Sequence, residues 1–161
     1  MKKWIGISIV VVVILTGICT KIYLNSVSPV KKGEERAVTI LKEKTDLTDF
    51  SDFQLFNGEE TYYVLKAKNQ KDEKVYAWVS EKSEKVITRK VKDGTSRQEA
   101  IDLVYSEKQP EEIISVRLGM ARIQKTDRPS WEVYYKSEGN SINYYYVDYD
   151  TGKKIRAIDN F

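Results

Sequence analysis

The sequence predicts an α+β fold: an N-terminal transmembrane helix followed by two repeated units, each one helix packed on an antiparallel four-stranded sheet. Three observations predict it. An uncharged apolar run opens the chain, the remainder resembles itself, and each copy shows a helical apolar stripe followed by alternating strands broken at turn residues.

The opening run, Trp4 to Thr20, is rich in Ile and Val, with Lys2 and Lys3 before it and Lys21 after it. A span of about 20 residues crosses a bilayer, and flanking aromatics such as Trp4 and Tyr23 suit its interfaces. The positive-inside rule puts Lys2 and Lys3 in the cytoplasm and residues from Pro29 onward outside, making a single-pass membrane protein. Two other readings exist. Ser26-Val27-Ser28 has the small-x-small form of a signal cleavage site, but Pro29 would follow the cut. Cys19 could carry a lipid, but Ile18 stands where a small residue is needed.

Residues 1–28 are thus read as a cytoplasmic stub and anchor, 29–93 as a first unit and 94–161 as a second. Glu35 to Leu41 resembles Gln98 to Val104, Tyr63-Val64-Leu65 resembles Glu132-Val133-Tyr134, and Tyr76 to Ile87 resembles Tyr144 to Ile155. In the first unit Ser28 caps a helix with Pro29 at its first position, and Val30, Ala37, Ile40, Leu41 and Lys44 share a face. Its strands are predicted at Asp52–Phe56, Thr61–Ala67, Lys74–Ser80 and Lys85–Val91, with Asn57-Gly58 as a tight hairpin turn. In the second, Thr95 and Gln98 form a capping box before a helix carrying Ala100, Ile101, Val104 and Tyr105, ended by Gln109-Pro110. Strands are predicted at Ile113–Gln124, Trp131–Lys136, Ile142–Asp148 and Lys153–Ile158, with breaks at Asp127-Arg128-Pro129, Glu138-Gly139-Asn140 and Asp150-Thr151-Gly152.

Composition narrows the chemistry. Lys and Arg total 27 and Asp and Glu 24; setting aside Lys2, Lys3 and Lys21 leaves 24 against 24. A balanced chain lacks the clustered cations that phosphate backbones require, which argues against nucleic acid. There is no histidine, and the one cysteine, Cys19, lies in the apolar run. Beyond the run, the commonest general base, the thiol nucleophile and the best transition-metal ligands are missing. No catalytic, cofactor or metal residues are assigned. Asp148 and Asp150 read as turn residues beside Gly152, not as an acid–base pair or a calcium loop. Gln54-Leu55-Phe56-Asn57-Gly58 has the Q-x-V-x-G spacing of a cystatin wedge, yet strand alternation and turn chemistry also explain it.

Tyrosine is the chemically distinctive residue, with 11 copies. Tyr144, Tyr145 and Tyr146 are consecutive, so Tyr145 must face one side of its strand and its two neighbours the other. Tyr134, Tyr144 and Tyr146 are the candidates for a protein-binding face, since such rings supply large, rigid contact area.

The helix-and-meander unit ending Val147-Asp148-Tyr149-Asp150-Thr151-Gly152-Lys153 resembles a PepSY-type domain, whose last hairpin has the form V-D-x-x-T-G-x. In the first unit, Val79-Ser80-Glu81-Lys82-Ser83-Glu84-Lys85 lacks the Asp and the Gly. The whole layout resembles the TseB (YpmB-like) family of Gram-positive bacteria, with an anchor and two PepSY or cystatin-like units. That resemblance implies a non-enzymatic regulator of cell-wall elongation working beside a penicillin-binding transpeptidase outside the membrane. Two alternatives are an extracytoplasmic peptidase inhibitor and a glycan-binding wall module.

Overall fold

The computed structural model describes residues 2–159, with side chains described for 12–21 and 29–159. The elements in order are α1 (Lys2–Lys44), β1 (Thr48–Asn57), β2 (Thr61–Lys68), β3 (Lys74–Ser80), β4 (Val86–Lys90), α2 (Arg97–Lys108), β5 (Glu112–Ile123), β6 (Thr126–Lys136), β7 (Ile142–Asp148) and β8 (Lys154–Ile158). The chain divides into two compact units, Met1–Arg36 and Ala37–Phe161.

In the first compact unit, Val12, Val13, Ile14, Leu15 and Ile18 are exposed. The Thr16 and Thr20 hydroxyls each donate to the carbonyl four residues back, at 2.8 Å. Among the described residues no helix is long and apolar enough to cross a membrane. Part of the expected anchor, including Trp4 and Tyr23, lies outside the described side chains, as do Ser26 to Ser28. The helix does not begin at Pro29, as its cap-like context suggested; Pro29 lies inside α1.

The second compact unit holds two four-stranded antiparallel meanders, ordered β1-β2-β3-β4 and β5-β6-β7-β8. Ala37, Ile40 and Leu41, spaced three and four along α1, are buried against Tyr63, Leu65, Ala77 and Val79 on one face of the first sheet. On α2, Ala100 and Val104 are buried against the second sheet in a larger core with Val133, Tyr145 and Val147. The other face of the first sheet contributes Phe56, Tyr62, Val64 and Trp78 to that same core. Tertiary packing thus joins the two meanders into one apolar interior.

Local differences from expectation have physical causes. The capping box is Ser96 with Glu99, one residue later than Thr95 and Gln98: Ser96 Oγ accepts from Glu99 N at 3.2 Å and Glu99 accepts from Ser96 N at 2.7 Å. Thr95 is used elsewhere, its carbonyl accepting the Trp131 indole N–H at 2.7 Å. Ser96→Ala should cost about 1 kcal/mol of stability in a urea melt, the usual worth of an N-cap. Asn57-Gly58 is not a two-residue turn; β1 ends at Asn57, β2 starts at Thr61, and neither residue has positive φ. Gly58 is there for closeness, because a Cβ would stand 2.8 Å from the Phe56 ring.

Strand β6 does not break at Asp127-Arg128-Pro129 but runs from Thr126. The turn is instead Gln124-Lys125, both left-handed at φ 47° and 68°. Pro129 is tolerated because its carbonyl accepts from Tyr149 N at 3.0 Å. Its backbone groups therefore point away from β5, and the missing N–H removes no bond to that strand.

The final turns of the two meanders share one design. Asp148 Oδ1 accepts from Thr151 N at 2.9 Å and Thr151 Oγ1 at 3.0 Å, and Gly152 stands at φ 68°. In the first sheet Ser80 Oγ accepts from Ser83 N at 3.0 Å and Ser83 Oγ at 2.8 Å, and Glu84 stands at φ 54°. The first meander, which has neither that Asp nor that Gly, makes the same turn with Ser80, Ser83 and a left-handed glutamate.

Candidate protein-binding face

Cross-strand partners share a face of their sheet. Tyr134 pairs with Tyr144 and Glu132 with Tyr146. Ser115 pairs with Tyr134 and Arg117 with Glu132. Ile158 pairs with Tyr144 and Arg156 with Tyr146. One face of the second sheet therefore carries two adjacent rows: Ser115, Tyr134, Tyr144, Ile158 and then Arg117, Glu132, Tyr146, Arg156. The opposite face carries Val133, Tyr135 and Tyr145 beneath α2, where the Tyr145 hydroxyl donates to Glu107 at 2.6 Å.

The three sequence candidates, Tyr134, Tyr144 and Tyr146, share the first of these faces but differ in access. Tyr134 and Tyr144 are half-buried and stack on each other, ring centroids 4.8 Å apart at 29°. Tyr146 is only 6% exposed. Its hydroxyl donates to Glu132 Oε2 at 2.7 Å, and the Arg156 guanidinium covers its ring at 4.6 Å. Tyr146 is an internal member of the face, and Tyr134 and Tyr144 are its outer members.

The second row is an ionic network. Glu132, 4% exposed, binds Arg117 through Nε at 3.0 Å and through Nη2, and takes the Tyr146 hydroxyl on its other oxygen. The Arg117 guanidinium also lies 5.7 Å over the Phe56 ring. The tip of the β1–β2 hairpin reaches the same sheet: Glu59 meets Arg156 at 3.2 Å and Glu60 meets Arg122 at 2.9 Å. Arg122 is held from the other side by Asp127 at 2.6 Å, which depresses the Asp127 carboxyl and raises the guanidinium.

Burial raises several phenols. Tyr146 is pushed from the ordinary 10.0 up to about 12, first by desolvation and then by its bond to Glu132, with Arg156 opposing. Tyr149 and Tyr135 also reach about 12, desolvation again leading. A folded-state value above the unfolded one means the neutral phenols stabilise the fold below about pH 10, and this is lost as the pH rises toward 12. Tyrosinate absorbance near 295 nm should accordingly rise in two phases, with the late phase coinciding with loss of the folded circular dichroism signal. A single phase centred at 10 would contradict the burial.

The other sequence candidates take structural places. Phe56 is 1% exposed, and a Cβ on Gly119 would collide with its ring. Gln54 Nε2 donates to the Leu118 carbonyl at 2.6 Å. The Q-x-V-x-G-like hairpin is therefore docked on β5 of its own chain, not presented as a wedge. Asp148 Oδ1 holds its turn while Oδ2 lies 2.7 Å from Arg128 Nε, and Asp150 pairs with Arg89 at 2.7 Å. Sequence reasoning missed Arg117 and Arg156, because only the strand register shows that they flank Tyr146 and Glu132. A separate open concavity of about 350 Å³ lies between Asp46-Leu47, the Asn69–Glu73 turn and Lys90. Its Glu73 carboxyl is held down at about 2 by Lys92, Lys90 and Asn69.

Residues 36–80 match the family described as cell wall elongation regulator TseB-like domain. The chain is 28% identical over 142 residues to the probable cell wall elongation regulator TseB of Bacillus subtilis (strain 168), covering 88% of this chain and 86% of that protein. It also superposes on the solved structure of the YpmB protein from Bacillus subtilis with a TM-score of 0.69 and 29% identity, covering 78% of this chain and 95% of that one.

Proposed function

We propose that the chain, which is similar to the TseB-like cell wall elongation regulators, is a non-enzymatic regulator of peptidoglycan elongation that acts through contact with a penicillin-binding transpeptidase. The supporting observation is the match to a named regulator along nearly the whole of both chains. In this reading the Trp4–Thr20 run is a single-pass anchor with a cytoplasmic N-terminus, and the two PepSY- or cystatin-like units, 29–93 and 94–161, stand outside the membrane. The repeated turn around Ser80 and Asp148 supports treating the two meanders as copies. The outer pair, Tyr134 and Tyr144, makes the contact, with Tyr146 fixing the strand beneath.

The alternatives fit the geometry less well. A peptidase inhibitor working by its first hairpin would have to present Phe56, which is buried. A glycan platform needs open ring faces, yet Tyr134 and Tyr144 face each other and Tyr146 is covered by Arg156. The test is chemical crosslinking in intact membranes, followed by affinity isolation of the full chain. Recovery of a transpeptidase is the expected result. Recovery of wall glycan alone, or inhibition of a peptidase without transpeptidase contact, would overturn the proposal.

A further inference from the structure

Resting on the reading of the Tyr134–Tyr144 face as a protein contact, we infer that the partner docks side chain to side chain on that face, not by adding a strand, and that it presents an acidic side chain to Arg117 beside an apolar patch.

All four sheet edges are blunted against strand addition. On β1, Asp49 and Asp52 are both left-handed and the register slips twice. On β5, the register slips between Ile113 and Ser115, and Gln54 already caps the Leu118 carbonyl. On β8, it slips between the pairs of Tyr146 and Val147. The regular edge, β4, is five residues long. Its Thr88 carbonyl accepts from Arg89 Nη1 at 2.9 Å and its Lys90 carbonyl from the Tyr149 hydroxyl at 3.2 Å.

The face itself has a polarity. At one end Glu112 and Lys136 are cross-strand partners of opposite charge. At the other, the Arg117 side chain is 42% exposed while its counter-ion Glu132 is 4% exposed, so the acid lies beneath the guanidinium. An approaching surface meets the cation first. Both Nε and Nη2 bind one oxygen of Glu132, which leaves guanidinium N–H groups for a second acceptor, and the plane is already fixed by Glu132 and the Phe56 ring. A pre-oriented arginine next to two tyrosines has the composition of a binding hot spot, and a carboxylate is the acceptor that matches its fork.

The experiment places the photocrosslinker p-benzoylphenylalanine at position 134, 144, 88 or 155 of the full chain in intact cells, with the thermal melt of each variant recorded. The expected result is adduct formation at 134 and 144 and none at 88 or 155. The crosslinked partner peptide should contain or adjoin an Asp or Glu whose conversion to the amide removes the adduct. Arg117→Lys keeps a cation over Glu132 but loses the fork, and should lower adduct yield about tenfold or more with a near-native melt. Adducts at 88 or 155 with 134 and 144 silent, no adduct anywhere, or adducts undiminished by both Arg117→Lys and Arg117→Glu would overturn the inference. Should the adduct partner be a protein other than a transpeptidase, the proposed function fails while this docking mode stands.

Discussion

Trp78→Ala is expected to cost about 3–5 kcal/mol, a large share of the 5–15 kcal/mol that holds a typical domain together. Trp78 is fully buried on the first sheet, yet it packs on both meanders: its ring lies 6.0 Å from Tyr76 and 5.4 Å from Tyr149. Removing it leaves a cavity where the two meanders share their core. The indole Nε1 has no hydrogen-bond partner among the described residues. Trp78→Phe should therefore be much milder, because it deletes an unsatisfied donor and keeps most of the packing. Urea denaturation of both variants checks the pair. Equal losses would mean that the indole N–H contributes after all.

Arg117→Ala should be of the same size, about 3–5 kcal/mol, for an electrostatic reason: it leaves the buried Glu132 carboxylate without its cation. Glu132 is a nearly buried anion shared by Arg117 and Tyr146. Glu132→Ala should cost less, because the Arg117 it leaves is 42% exposed and reaches water, while only the Tyr146 hydroxyl loses a buried partner. The double replacement should be less destabilising than the sum of the two singles, as expected for groups that act as a pair. A double-mutant cycle by chemical denaturation measures this, and strict additivity would show that the two residues are not coupled.

Much of the fold was legible because period and punctuation agreed. Thr61 to Lys68, Lys74 to Ser80 and Ile142 to Asp148 are strands near their predicted bounds, each flanked by residues with a turn or cap chemistry. Two kinds of signal were not legible. In β1 the left-handed Asp49 and Asp52 insert an extra residue twice, so Leu47, Phe50 and Phe53 all reach the same core at a spacing of three. A reader looking for alternation finds none before Asp52 and starts the strand late. At Gln124-Lys125 a tight turn is made by residues with no special tolerance for positive φ. The Asp127-Arg128-Pro129 string looked more like a break. For the face, parity fixed that Tyr144 and Tyr146 lie together and Tyr145 apart. It could not show that Arg156 covers Tyr146, because that depends on which residue of β8 stands opposite.

The docking of Phe56 on Gly119 also bears on how the chain can be made. Gln54 and Leu118, bonded across the same junction, are 64 residues apart, Arg89 and Asp150 are 61 apart, and Glu59 and Arg156 are 97 apart. Contacts of such sequence separation form late, because the closure entropy of a long loop must be met before any of them contributes. While the chain emerges in order, the first meander has its strands but not the surface that covers Phe56, Tyr76 and Trp78. A polypeptide halted after β4 would therefore be a sticky, half-covered sheet, and the finished protein should exchange the amides of β2 and β3 on the same slow schedule as those of β6 and β7. With Phe56, Trp78, Val133 and Tyr145 in one shared core, neither meander is expected to fold alone.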